Sequence, residues 1–97
     1  MIKTFKDKAT EDIFNGKATK AAMRACPRKI WKIATRKLDQ LDSVLSLGEL
    51  RVPPGNMLET LYGKRKGQFS ILINDRFRIC FKWGETGPHE VVITDYH

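Results

Sequence analysis

The stretch "ITDYH" puts an acid, a phenol and an imidazole in consecutive positions, Asp95, Tyr96 and His97. Each can hold or move a proton. An unperturbed His97 titrates near ~6.5 and can serve as acid or base. Asp95 can orient or charge an imidazole, or act as a base itself. Tyr96 can stack on a nucleobase or give its phenolic proton to a phosphate oxygen. Upstream stands Arg78, in the run "RFRICFKW". A guanidinium grips a phosphate with two parallel hydrogen bonds, a geometry that lysine does not reproduce. These parts suit one reaction. RNA is cut without a metal when its own 2′-hydroxyl attacks the adjacent phosphate. That step needs a base for the hydroxyl, an acid for the departing 5′-oxygen and cations for the phosphorane. DNA lacks the hydroxyl, so the reaction selects RNA. On chemistry alone, however, the inert reading wins, because such a tripeptide arises by chance in many proteins.

The composition narrows the setting. The chain has 97 residues, which implies one domain over 1–97 with one modest core. Eighteen Lys and Arg stand against 11 Asp and Glu, a formal charge of +7. A surplus of that size on a small domain points to a polyanion, most often nucleic acid. Cys26 and Cys80 are far apart, and His89 and His97 lack metal-ligand spacing. No disulfide scaffold, metal or other cofactor is therefore expected. No apolar run is long enough to span a bilayer. The opening "MIKTFKDKATED" turns charged at once, unlike a signal peptide. A cytoplasmic protein with no membrane partner is expected.

The elements that must carry these residues fall into two halves. "MIKTF" suits a short strand, and "KDKATEDIFNG" a short helix stopped by Gly16. "KATKAAMRACP" either links helices or begins the next one. In "PRKIWKIATRKLDQLDSVLSLG", Trp31, Ala34, Leu38, Leu41 and Leu45 recur at helical spacing, and Gly48 closes the run. "RVPPGN" is a loop. The period then changes to two. Phe69, Ile71 and Ile73 alternate with Gln68, Ser70 and Leu72. Phe77, Ile79, Phe81 and Trp83 alternate with Arg76, Arg78, Cys80 and Lys82. Asn74 and Asp75 suit the hairpin between them. "HEVVITDYH" is the last strand. The expected architecture is α+β, with two N-terminal helices packed on one face of a small antiparallel sheet. Arg76, Arg78 and Lys82 then lie on the other face, away from the helices. With Lys64, Arg65 and Lys66 in the preceding loop they make a basic concavity suited to an RNA backbone.

Four stretches carry a family resemblance: "MIKTF", "LETLYGKRKGQFSI", "INDRFRICFKW" and "VVITDYH". In that order, and over almost the whole length, the chain resembles the HigB branch of the RelE/ParE superfamily of type II toxins. The helical stretch from about Lys6 to Leu50 matches in pattern and length rather than in detail. The resemblance implies a RelE-like α+β fold and a ribosome-dependent mRNA endonuclease acting in the decoding site of the bacterial 70S ribosome. It implies a neutralising partner, a helix-turn-helix, HigA-like antitoxin, with operator DNA reached only through that partner. By motif position Arg78 resembles the family's phosphate-binding arginine. Asp95, Tyr96 and His97 resemble its terminal active-site residues. The loop departs from the pattern. Many members read Leu-His-Pro-Leu-Lys-Gly, and both the His and the Lys contribute to the site. Here Leu58-Glu59-Thr60-Leu61-Tyr62-Gly63 replaces the imidazole with a carboxylate and the ammonium with a phenol. Glu59 is a candidate base or a spectator paired with Arg78 or Arg65. It cannot supply the missing cation, which leaves Lys64, Arg65 or Arg76 to compensate. Two rival functions stay open: a gyrase poison of the ParE type, and a module that binds RNA or ribosomes without cutting.

Overall fold

The computed structural model describes residues 1–96, so His97 lies outside the described residues. Three helices precede the sheet, rather than two: α1 (Lys8–Phe14), α2 (Lys20–Ala25) and α3 (Trp31–Ser43). The additional helix is "KATKAAMRACP", whose start is set by a cap. Thr19 Oγ1 accepts from the Ala22 N–H at 3.1 Å and donates to Asp12 Oδ2 at 2.7 Å, tying α2 to α1. Asp7 caps α1 in the same way, accepting from the Thr10 N–H at 2.8 Å.

The third helix is entered through Pro27 and a 3₁₀ turn at Arg28–Ile30. It buries Ala34, Leu38 and Leu41 along one stripe. It stops at Ser43, short of Leu45 and Gly48. The reason lies just beyond it. Glu49 Oε2 accepts from the N–H groups of Leu45 at 2.8 Å and Ser46 at 2.7 Å. This capping box starts a separate 3₁₀ turn, Leu47–Arg51, and a backbone held that way cannot continue the helix. Leu45 is thereby left 91% exposed, outside the apolar stripe in which its spacing placed it.

The sheet has four antiparallel strands in sequence order: β1 (Glu59–Thr60), β2 (Gln68–Leu72), β3 (Phe77–Gly84) and β4 (Gly87–Asp95). Between β2 and β3, Asn74 Oδ1 accepts from the N–H groups of Arg76 and Phe77 at 2.9 and 2.8 Å. Pairing sets Phe69 against Phe81, and Ile71 against Ile79 and Ile93 in turn. These side chains meet Ile13, Leu38, Leu41 and Leu50 in the core. Each fully buried Leu or Ile contributes roughly 1.5–3 kcal/mol. "MIKTF" runs beside β4 but forms only one parallel bridge, Phe5 with Val91. Hydrogen bonds from Lys3 N–H to Pro88 and from Lys6 N–H to Val91, each 2.9 Å, hold it there.

The second face of the sheet is not the open charged surface that alternation alone suggests. Ser70 and Cys80 have no exposure and Arg78 only 6%. Leu61 is also buried, though it stands outside the main core. Arg78 reaches the carbonyl of Met57, so the segment leading into β1 lies against this face.

Candidate active site

Register builds the site. Across the second face Glu59 pairs with Ser70, Ser70 with Cys80, and Arg78 lies between Leu72 and Thr94. Arg78 Nε donates to Ser70 Oγ and its Nη2 to the Met57 carbonyl, both at 2.7 Å. Met57 itself adopts a left-handed backbone, φ 44°. Glu59 Oε2 lies 3.8 Å from the same Nη2 and is half exposed. Among the described residues Nη1 donates to nothing. The guanidinium is therefore clamped on one edge and keeps donors on the other, the state required to meet an incoming anion. The clamp also means that Arg78 helps hold the loop that leads into β1.

Tyr96 and Arg65 flank it. The Arg65 guanidinium lies 5.2 Å from the centre of the Tyr96 ring, within cation–π range. Arg65 Nη1 donates to Cys80 Sγ at 3.4 Å, and the Tyr96 hydroxyl sits 4.0 Å from the same sulfur. Burial pushes the Tyr96 phenol above its ordinary pKa, Cys80 adds to the rise, and the Arg65 cation opposes it. The phenol thus stays protonated at neutral pH and is a donor, not a base.

Asp95 belongs to a different group. It pairs in register with Phe77, on the opposite parity from Arg78. Its two oxygens accept from Arg76 Nε and Nη2, both at 2.8 Å. The Tyr96 N–H also donates to the Arg76 carbonyl, at 2.6 Å. Arg76 is therefore occupied with fixing the end of β4, and two of its donors are unavailable to a ligand. A cleft of about 350 Å³ opens on this side, lined by Arg24, Cys26, Pro27, Arg76, Phe77 and Asp95 among others. Arg78, Tyr96 and Arg65 do not line it. Those three lie on the other face of the sheet, around Ser70 and Cys80.

The remaining cations divide. Lys64 and Lys66 are exposed in the loop around a 3₁₀ turn, Gly63–Arg65. Lys82 is two strand positions beyond Cys80 and is paired with Glu90 at 3.0 Å. The face thus brings together Arg78, Arg65, Tyr96 and Glu59. It sets Arg76 with Asp95 apart and ties Lys82 to a carboxylate. Three contributors escaped the sequence reading as site residues: Ser70, Cys80 and the Met57 carbonyl. Alternation put Ser70 and Cys80 on the correct face, but only the β2–β3 register makes one a partner of Arg78 and the other a neighbour of Tyr96. Among the described residues no three His, Cys, Asp or Glu side chains converge as a metal site.

Comparison with known proteins places the chain as a whole. The chain is 37% identical to Toxin HigB-1 of Vibrio cholerae over 83 residues, 86% of this chain and 84% of that one. It is 35% identical over 57 residues to an uncharacterized protein of Haemophilus influenzae, covering 59% of this chain and 56% of that one. In three dimensions it is similar to a chain of the YoeB–YefM complex from Staphylococcus aureus, with a TM-score of 0.62 and 22% identity. That match covers 100% of this chain and 95% of the other, and it establishes a RelE-like α+β fold. The model for RelE-like toxins of the HigB type II toxin–antitoxin system matches residues 3–97, and with the Vibrio relative it shows that the chain belongs to the HigB-like toxin family.

Proposed function

We propose that the chain cuts mRNA on the ribosome, without a metal, through attack of the message's own 2′-hydroxyl. Toxins of this family are mRNA endonucleases, which supplies the substrate class. The observation that carries the finer reading is Arg78: a buried guanidinium, clamped on one edge, with free donors beside a protonated phenol and a second guanidinium. In the step proposed, the 2′-oxygen forms a bond to phosphorus and the bond to the 5′-oxygen breaks. The products are a 2′,3′-cyclic phosphate and a 5′-hydroxyl. Arg78 and Arg65 carry the added charge of the phosphorane, and Tyr96 donates to a non-bridging oxygen. His97, Asp95 and Glu59 are the candidates for taking and giving the 2′ and 5′ protons. Lys64 and Lys66 hold the flanking backbone, while Lys82 and Arg76 first serve their carboxylate partners.

We also infer a cognate helix-turn-helix antitoxin as the neutralising partner, operator DNA bound only through it, and action in the bacterial cytoplasm. The structural relative is a chain of the two-protein YoeB–YefM complex, which supports a protein partner. The test uses ribosomes programmed with a defined message. Wild-type protein is expected to cut, and a 2′-deoxy nucleotide at the scissile position to abolish cutting there. Continued cleavage at the deoxy position defeats the mechanism. Gyrase-dependent DNA breaks without mRNA cleavage defeat the ribonuclease reading itself.

A further inference from the structure

One aromatic side chain on this surface has no work in the fold. Tyr62 is 81% exposed, and among the described residues its side chain makes no hydrogen bond and no aromatic or cation–π contact. Its backbone is nevertheless fixed on both sides. Leu61, immediately before it, is buried and donates its N–H to the Gln68 carbonyl at 2.9 Å. Gly63, immediately after it, is left-handed at φ 65°, a conformation that turns the chain back at once. The Tyr62 carbonyl then accepts from the Arg65 N–H at 3.3 Å. That same Arg65 lies over the Tyr96 ring and against Cys80. One short turn therefore sets Tyr62 in fixed relation to the site, with exposed Lys64 and Lys66 beside it.

An exposed, positioned aromatic among cations on the rim of a phosphate site is what single-stranded RNA recognition uses. Cations follow the backbone, and a flat π-face takes an unstacked base. Burying the ring between protein layers is ruled out by its exposure, and a role as a cation is ruled out by its chemistry. We propose that Tyr62 stacks on a base of the bound message next to the scissile phosphate, and so helps determine where this toxin cuts. The inference rests on the ribonuclease reading above and names the subsite that reading leaves open.

The test measures cleavage on programmed ribosomes for wild type, Tyr62→Phe, Tyr62→Leu and Tyr62→Ala, with 2-aminopurine placed in turn on each side of the scissile nucleotide. Stacking predicts that wild type and Tyr62→Phe quench the fluorophore at one position and share one cleavage pattern. Tyr62→Ala and Tyr62→Leu should lose the quenching and bind about 5- to 150-fold more weakly, the range for removing one base–aromatic stack. The rate at saturation should hold, because stacking serves bound substrate and transition state alike. If Tyr62→Phe behaves like Tyr62→Ala, the hydroxyl is the contact and stacking is wrong. If all four cut identically, Tyr62 is a bystander and stacking is wrong while the ribonuclease reading survives. If wild type cuts nothing, the ribonuclease reading itself falls and takes this inference with it.

Discussion

Replacing Arg78 with Ala should damage the fold as well as the chemistry, and the size of the damage follows from its contacts. The substitution removes two charge-assisted hydrogen bonds, to Ser70 Oγ and to the Met57 carbonyl, each 2.7 Å. Bonds of that kind contribute roughly 1.5–3 kcal/mol apiece. Part of the loss is recovered. Met57 can leave its left-handed backbone, worth ~1–2 kcal/mol, and its exposed surroundings let water reach the freed carbonyl. A net destabilisation of about 2–4 kcal/mol remains. For a domain of this size that lowers Tm by at least ~8 °C. Arg78→Lys keeps the charge but loses the fork, so it should fall between wild type and Arg78→Ala in both Tm and single-turnover rate. Ser70→Ala should cost ~1–2 kcal/mol in the wild-type background and almost nothing beside Arg78→Ala, because the two residues share one bond. Thermal melts of the four proteins, with cleavage measured well below the lowest Tm, give all these quantities. An Arg78→Ala protein that melts within ~3 °C of wild type would show that the clamp is not holding the loop. An Arg78→Lys protein that cuts at the full rate would remove the two-pronged phosphate grip.

Glu59→Gln separates a base from a spectator. The carboxylate lies 3.8 Å from Arg78, where it serves to hold the guanidinium, so cleavage should change little. A loss of ~10²-fold or more with ribosome binding intact would make Glu59 catalytic. Deleting His97 should reduce single-turnover cleavage by ~10²–10⁴-fold without lowering Tm, and unchanged cleavage removes it from the acid–base pair. Asp12 gives an acid-pH prediction. Hydrogen bonds from Thr19 and Lys8 hold its carboxyl below the ordinary value. Its contribution is present above the unfolded carboxyl pKa of ~3.9 and lost as pH falls through the lower folded value. Asp12→Asn should therefore narrow the difference in denaturation midpoint between neutral and strongly acid pH, and an unaltered difference refutes the linkage.

Alternation and helical spacing were sufficient for the parts of the molecule that obey one period throughout. The faces of β2 and β3 and the stripe Ala34, Leu38 and Leu41 fall where the pattern puts them. The failures have local causes. Leu45 continued the helical spacing, but the Ser46–Glu49 capping box competes for the same backbone and wins. "KATKAAMRACP" gave no stripe because α2 buries only Ala22, and its decisive signal is the Thr19 cap. At the site, residue type indicated Arg78, Arg65 and Tyr96 as candidates. Their grouping depends on pairing across strands, and so does the separation of Asp95 from Tyr96. Side chains next to one another in sequence fall on opposite faces of an extended strand. A tripeptide that reads as one cluster can thus serve two surfaces.

The earliest residues of the chain are zipped to the strand made last among those described. The Glu90 N–H donates to Thr4 Oγ1 and the Ile93 N–H to Thr10 Oγ1, across 86 and 83 residues of sequence. A protein grows from its N-terminus, so Thr4 and Thr10 are made 86 and 83 residues ahead of these partners. Until β4 emerges, the edge of β3 beside Arg78 is unpaired, Tyr96 is absent, and Asp95 has not reached Arg76. Contacts this distant in sequence also form late for entropic reasons. Order of manufacture therefore orders the surface itself: the face on which Arg78 meets Tyr96 forms only after β4 has been made.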